Sequence, residues 1–350
     1  MLAGNWDIDR TILRPAEDYE PLALDLRLGR RATALELDDR VVVLDDGERV
    51  PFDGLVIATG SSPRVLPGTP DLEGIHVLRT LDDCLAIRAA LDAEPRVVVV
   101  GAGFIGSEVA ATCRGRGLDV TVLEALPVPL ARALGDAMGT ACGELHRDHG
   151  VDLRVNATVA GFEGHGRVER VRLGDGGAVD ADLVVIGVGV APETGWLEGS
   201  GLALANGVVC DATCFASAPG VVAAGDVARW HNPLFGTDMR VEHWTNAAEQ
   251  GTAAARALLA GAGAEPFAPV PYFWSDQYDV KIQFVGIGGP DDEVRVVDGS
   301  VAEHRFVALY GRAGRLVGAL ALGRPRLLMA YRRLIADQAS WEDALAFEPT

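Results

Sequence analysis

The sequence predicts an α/β chain with two Rossmann-like dinucleotide-binding domains, the first of them incomplete, followed by a C-terminal α+β domain. Three observations predict it. Arg96–Glu124, RVVVVGAGFIGSEVAATCRGRGLDVTVLE, reads as a complete βαβ unit with a glycine-rich turn. Two further apolar strands end in small-residue turns, Ala58-Thr59-Gly60 and Gly187-Val188-Gly189, as though each closed a dinucleotide domain of its own. From Tyr272 the pattern changes to β-hairpins, Tyr272–Gly286 and Glu293–Leu320, followed by helices at Arg326–Ile335 and Ser340–Ala346.

Each part of the βαβ unit has a physical task. The apolar strand Val97–Val100 runs into Gly101-Ala-Gly103-Phe-Ile-Gly106, and a second strand, Val120–Leu123, ends on Glu124. Gly101 permits the tight turn, Gly103 lets backbone N–H groups approach a phosphate, and Gly106 lets the helix pack on the strand. The helix N-terminus offers free N–H donors and partial positive charge to a pyrophosphate. Glu124 stands about 20 residues past the turn, where a carboxylate accepts hydrogen bonds from ribose hydroxyls and repels a 2′-phosphate. Ala125, Leu126 and Pro127 follow it, and the nearest base is Arg132, so the spacing favours NADH over NADPH. Glu108, two residues past Gly106, is placed either to face a nicotinamide or to sit on a solvated helix face.

A second signal lies at 213–226, TCFASAPGVVAAGD, where a strand ends in Gly225-Asp226 before a loop. The glycine allows close backbone approach and the aspartate can accept a hydrogen bond from a polyol; the pattern resembles the second FAD motif of flavoprotein reductases. Next, EHWTNAAEQG (Glu242–Gly251) starts a helix, with Asn246 and Glu249 at the spacing of a capping box. Such a terminus, aimed at a ligand, stabilises developing negative charge. Further upstream, Arg40–Leu44, an Asp46-Gly47 turn and Arg49–Phe52 predict a hairpin leading into a buried strand at 54–60. Helices are expected near Thr80–Leu91, Asp136–His149 and Thr245–Leu259.

Bulk properties narrow the function. At 49% hydrophobic residues the 350-residue chain can bury a large core. A net charge of −19 argues against nucleic acid as a partner, because phosphate backbones need a basic face. No apolar run reaches the roughly 18 residues needed to cross a bilayer, and residues 1–20 lack the apolar core of a signal peptide, so a cytoplasmic location with no membrane contact is expected. The five cysteines have neither zinc nor thioredoxin spacing, and no metal site is expected.

Taken together, GAGFIGSE (Gly101–Glu108), ATGSSPR (Ala58–Arg64), AAGDVARWHNP (Ala223–Pro233), EHWTNAAEQG and YFWSDQYDVKIQFVG (Tyr272–Gly286) resemble one family across essentially the whole chain. This is the FAD-dependent, NADH-linked ferredoxin reductases of bacterial cytochrome P450 and ring-hydroxylating oxygenase systems. The resemblance implies an FAD-binding domain from 1–78 and 205–265, an NAD-binding domain at 79–204, and a C-terminal reductase domain at 266–350. It implies that Ala58, Thr59, Gly60, Arg64, Gly225 and Asp226 contact FAD, with Ala32 on the adenine side and the Trp244 backbone beside the flavin. Gly101, Gly103, Gly106, Glu124 and Gly189 would hold NAD, with Glu108 near the nicotinamide. Trp274 would stand at the flavin edge where a [2Fe–2S] ferredoxin docks, and the arginines 324, 326, 332 and 333 would steer that acidic partner.

The family's opening FAD strand–turn–helix has no counterpart before Met1-Leu2-Ala3-Gly4, so weak or no FAD retention is expected. A disulfide reductase or NADH oxidase, or an inactive NAD-binding remnant, are the alternatives. The former needs a redox cysteine in that first helix. Its glutathione-reductase type also needs a C-terminal His-Pro, and none of the seven histidines precedes proline.

Overall fold

A computed structural model describes residues 1–348. The chain divides into two compact units, Ala3–Ser62 with Ala191–Ala268, and Pro63–Val190 with the residues from Pro269 onward.

The second unit is built on a parallel sheet of strands β1 (Ile75–Val77), β2 (Val97–Val100), β3 (Val120–Leu123), β4 (Asp152–Arg154) and β5 (Leu183–Ile186), in the order β1-β5-β2-β3-β4. All four residues of β2 and of β5 are buried. Continuous apolar runs of this kind are what a parallel sheet covered on both faces requires. One cover is an antiparallel meander, 159–165, 167–173 and 178–180, whose Val168, Val171 and Val179 pack with Val98, Val100, Val184 and Ile186. Helix α1 (Leu81–Leu91) opens with a capping box between Thr80 and Asp83. Helix α2 (Phe104–Gly115) follows β2 directly.

Helix α3 spans Ala131–Asp148, five residues more at its start than the sequence predicts, with a break at Gly135 (φ +70°). Its apolar face explains the extension. Leu134, Met138, Ala141, Cys142 and Leu145 join one core with Ile282, Phe284, Phe306, Tyr310 and Leu320. These come from the C-terminal antiparallel sheet, strands β6 (Tyr272–Gln277), β7 (Val280–Gly286), β8 (Glu293–Ser300), β9 (Arg305–Arg312) and β10 (Arg315–Leu322), ordered β6-β7-β10-β9-β8. The Tyr310 hydroxyl donates to the Leu134 carbonyl at 2.8 Å, at the break itself. Helices Pro325–Ala336 and Trp341–Ala346 complete this part, the second capped by Ser340, which accepts from the Asp343 amide.

The first unit carries the expected hairpin as Val41–Leu44 and Arg49–Pro51, with Ala32–Glu36 as a third strand. Leu55–Ile57 pairs in parallel with Val221–Ala223. The buried strand expected at 54–60 is corrected here. Ile57 is buried, but Val56 is 39% exposed and Ala58 and Thr59 are exposed. Among the described residues this strand pairs with one neighbour, so one of its edges lacks the partner strand that β5 has on both sides. Leu35, Ile57, Leu197, Val208, Val221 and Trp230 form the unit's core.

Candidate functional site

Strand β2 delivers Gly101 at its C-terminal end, where the Gly101 amide donates to Leu123 O at 2.8 Å. Gly101 has φ +100°, and a Cβ there would press on the Gly187 carbonyl; a Cβ at Gly106 would collide with the Gly101 carbonyl. Both positions therefore require glycine for packing. Gly103 and Gly189 differ: a Cβ at Gly103 would come no closer than 3.9 Å to any atom, and one at Gly189 would meet nothing within 4 Å. These two glycines face an open cavity of about 520 Å³, lined by Gly101–Phe104, Glu124–Leu126, Arg132 and Gly187–Gly189. Gly103 is the N-cap of α2 and offers no side chain, so the first-turn amides of the helix have no side-chain cap.

The Glu124 carboxylate is fixed by two backbone donors. Ala102 N–H donates to Oε2 at 2.7 Å and Leu126 N–H to Oε1 at 2.8 Å. A carboxylate offers about four acceptor directions, so two remain for ribose hydroxyls. Uncapped amides, two glycines open to the cavity and a pinned carboxylate fit a dinucleotide. Arg132, the nearest base after Glu124 in the sequence, is exposed and lines the same cavity.

Glu108 is not among the cavity-lining residues, although Phe104, one turn earlier on α2, is. It is half-buried, and its Oε1 accepts a hydrogen bond from Ser275 Oγ at 2.7 Å. Burial holds its carboxyl above the usual carboxylate range, the Ser275 hydrogen bond opposes this, and the charge of Asp276 adds to it. Trp274, the neighbour of Ser275 on β6, is 40% exposed, with Lys281 Nζ 5.8 Å from its ring centre. Ser275 was not legible as a site residue; its signal was the period-two alternation beside Trp274.

In the other unit, Val221–Ala223 runs into Gly225 (φ +74°) and Asp226. Asp226 is 9% exposed and accepts from Ser61 Oγ at 2.8 Å, while Gly225 N–H donates to Gln250 Oε1 at 2.9 Å. The capping box expected from Asn246 and Glu249 is corrected. The helix spans Trp244–Ala260 with His243 at the N-cap, three residues earlier than a cap at Asn246 allows. Asn246 is buried inside its first turn, donating to Val241 O and to Gln250 Oε1, each at 3.3 Å. Its Oδ1 is a buried acceptor without a partner among the described residues. Trp244, first in the helix, is 62% exposed, and burial pushes the His243 imidazole down to about 4, keeping it neutral.

The remaining sequence-predicted residues are more scattered. Thr59 Oγ1 donates to Glu193 O at 2.9 Å, and Gly60 (φ +71°) accepts the Glu193 amide. Ala32 begins its strand half-buried. Arg64 lies in the unit of the parallel sheet, exposed, its Nε donating to Val190 O at 3.0 Å and its amide to Gly189 O. All five cysteines are buried and unbridged. Burial pushes the thiols of Cys113, Cys142, Cys210 and Cys214 up to about 12, where they stay protonated and unreactive. Among the described residues no group of three acidic, histidine or cysteine side chains could hold a metal ion, and no helix is long and apolar enough to cross a membrane.

Residues 9–251 match the pyridine nucleotide-disulphide oxidoreductase family, and residues 272–350 the reductase C-terminal family. The ferredoxin–NAD(+) reductase component of the anthranilate 1,2-dioxygenase system of Burkholderia cepacia is 38% identical, over 97% of this chain and 84% of the relative. Putidaredoxin reductase of Pseudomonas putida is 35% identical, over 98% of this chain and 82% of the relative. A solved structure, the covalent putidaredoxin reductase–putidaredoxin complex, superposes with a TM-score of 0.93 at 34% identity, covering 99% of this chain and 84% of that one. The chain belongs to the pyridine nucleotide-disulphide oxidoreductase family, within its group of ferredoxin–NAD(+) reductases that carry a reductase C-terminal domain.

Proposed function

We propose that the chain is a flavoprotein oxidoreductase that passes electrons from NADH through FAD to a [2Fe–2S] ferredoxin serving an oxygenase. The observation that carries the reading is the pinned Glu124 carboxylate at the mouth of a glycine-lined cavity, in a chain whose relatives named as ferredoxin reductases match it almost end to end. Gly101, Gly103, Gly106 and Gly189 seat the pyrophosphate side of NADH, and Glu124 takes the ribose. Glu124 disfavours a 2′-phosphate, and Arg132, which lines the cavity, is the residue that would oppose this preference.

The other unit fits FAD. Asp226, held by Ser61, is placed to accept from a polyol chain. The N-terminus of the Trp244 helix has no side-chain cap, and its partial positive charge would favour developing negative charge. Ala32, Ala58, Thr59, Gly60 and Gly225 complete the proposed contacts. Bound FAD would supply hydride acceptance and one-electron release; the chain supplies orientation and electrostatics. We assign the FAD role to 1–78 with 205–265, the NAD role to 79–204 and the partner-facing role to 266–350, although Ile75–Val77 pairs in the parallel sheet and Leu197 joins the core of the first unit. Buried, protonated thiols disfavour disulfide chemistry, and five unbridged cysteines suit the reducing cytoplasm.

The test is NADH-dependent reduction of ferricyanide by the purified chain with added FAD, then of a [2Fe–2S] ferredoxin. Turnover with both acceptors is expected. A folded chain that binds NADH and FAD yet reduces neither acceptor would overturn the assignment.

A further inference from the structure

Helix α2 and strand β6 meet in matched steps. Phe104 and Glu108 are four residues apart on the helix, about 6 Å along its axis. Phe273 and Ser275 are two apart on the inner face of β6, about 6.7 Å along the strand. The equal spacing lets the strand hold the helix at two points. Phe273 meets Phe104 edge-on, with ring centres 4.5 Å apart, and Ser275 Oγ donates to Glu108 Oε1 at 2.7 Å.

The serine hydroxyl is oriented by a third group. Ser275 Oγ also accepts from Gln277 Nε2 at 3.1 Å. An amide nitrogen donates only, so the hydroxyl proton is directed at Glu108. Ser275 and Gln277 are both fully buried, whereas Trp274 and Asp276 point to the exposed face of the same strand. Phe104 lines the nucleotide cavity and Glu108 stands one turn behind it. The carboxylate nearest the cavity on α2 is therefore held by the strand that presents Trp274.

We propose that Ser275 is a positioning residue that fixes the Glu108 carboxylate and thereby sets the relative affinity of the site for NAD⁺ and NADH. The inference rests on the NADH-binding reading above and on the expectation that Glu108, one turn behind the cavity-lining Phe104, stands near the nicotinamide. An ionised carboxylate there attracts the cationic ring of NAD⁺ and leaves the neutral ring of NADH unaffected. Burial and the charge of Asp276 on β6 both favour protonation of Glu108; Asp276 is itself paired with Lys281 of β7 at 2.9 Å. The Ser275 hydrogen bond is what opposes them.

The experiment is calorimetric titration of the full chain with NAD⁺ and with NADH, separately, from pH 5 to 9. In the parent protein the NAD⁺ affinity should rise with pH while the NADH affinity stays flat. Ser275→Ala should move that rise to higher pH and weaken NAD⁺ about fivefold relative to NADH at pH 7, the scale of one lost hydrogen bond. Ser275→Thr, which keeps the hydroxyl, should restore the parent profile. Glu108→Gln should abolish the pH dependence, and adding Ser275→Ala to it should change nothing further. Gln277→Met, which removes the orienting donor, should give a smaller shift of the same sign and serves if the alanine variant does not fold. An unchanged profile in Ser275→Ala, or a pH dependence that survives Glu108→Gln, overturns the inference while leaving NADH binding intact. A folded parent chain that binds neither nucleotide overturns the functional reading and this inference with it.

Discussion

The Glu124 carboxylate accepts the Ala102 amide at 2.7 Å, joining the end of the second strand to the middle of the glycine turn. The same carboxylate takes the Leu126 amide with its other oxygen, so one side chain organises both the turn and the loop after β3. Glu124→Gln should therefore do more than remove a charge. A glutamine has one acceptor oxygen and an NH₂ group that would face a backbone N–H. We expect NADH affinity to fall at least tenfold by calorimetry, with a modest loss of thermal stability. Unaltered NADH affinity would remove Glu124 from the nucleotide site.

The glycines of the turn should separate into two kinds. Gly106→Ala forces a methyl into the Gly101 carbonyl, and backbone on both sides leaves no flexible end to move. It should cost on the order of 2–3 kcal/mol in urea unfolding. Gly103→Ala has room for its methyl within the fold but directs it toward the cavity. Its unfolding should match the parent within about 0.5 kcal/mol, while NADH binding falls by an order of magnitude or more. Equal effects of both substitutions on folding would contradict the assignment of Gly103 to the ligand.

These contrasts mark what a sequence can carry. The βαβ unit was legible because strand, glycines, helix and terminal acid are local, and local order dictates their geometry. The Tyr272–Gly286 hairpin was legible from alternation. What joins distant segments was not. Ser61 meets Asp226 and Ser275 meets Glu108 across 165 and 167 residues, with no periodic signal in either partner. The helix cap was misplaced at Asn246 because that residue has the chemistry of a cap, while its burial against Val241 and Gln250 is a tertiary fact. Likewise, Leu55–Ile57 and Leu183–Ile186 read alike in sequence; their burial differs because it depends on strands drawn from elsewhere.

Acid sensitivity should trace in part to His146. It is buried on α3, and its Nδ1 lies 2.8 Å from the Tyr278 hydroxyl. Burial, with the nearby His149, lowers its pKa from 6.5 to about 4. Between those two values the unfolded chain takes up a proton that the folded chain refuses. Stability is thus fully retained above about pH 6.5 and declines as pH falls toward 4. His146→Gln keeps a polar group near Tyr278 and removes the titration. Between pH 7 and 4.5 the parent should lose about 2 kcal/mol more in urea unfolding than the variant. Parallel losses would show that His146 is not a source of acid instability.

The arginines of the C-terminal helix divide into internal and outward groups. Arg324 pairs with Asp298 at 3.0 Å, and Arg332 donates to the Val270 carbonyl at 3.2 Å, so both serve the fold. Arg326 and Arg333 are exposed and seven residues apart, two turns on one helix face, with Met329 42% exposed between them. On a chain of net charge −19 these two exposed guanidinium groups would give the face local positive charge, suited to steering an acidic ferredoxin at low ionic strength. Reversing both to glutamate should lower the rate of NADH-driven ferredoxin reduction at least tenfold at 10 mM salt. The deficit should shrink as salt approaches 0.3 M, where screening shortens the reach of surface charge. Ferricyanide reduction, which needs no docking surface, should stay within twofold of the parent. A ferredoxin rate insensitive to the double reversal at low salt would return these arginines to the role of solvated helix charges.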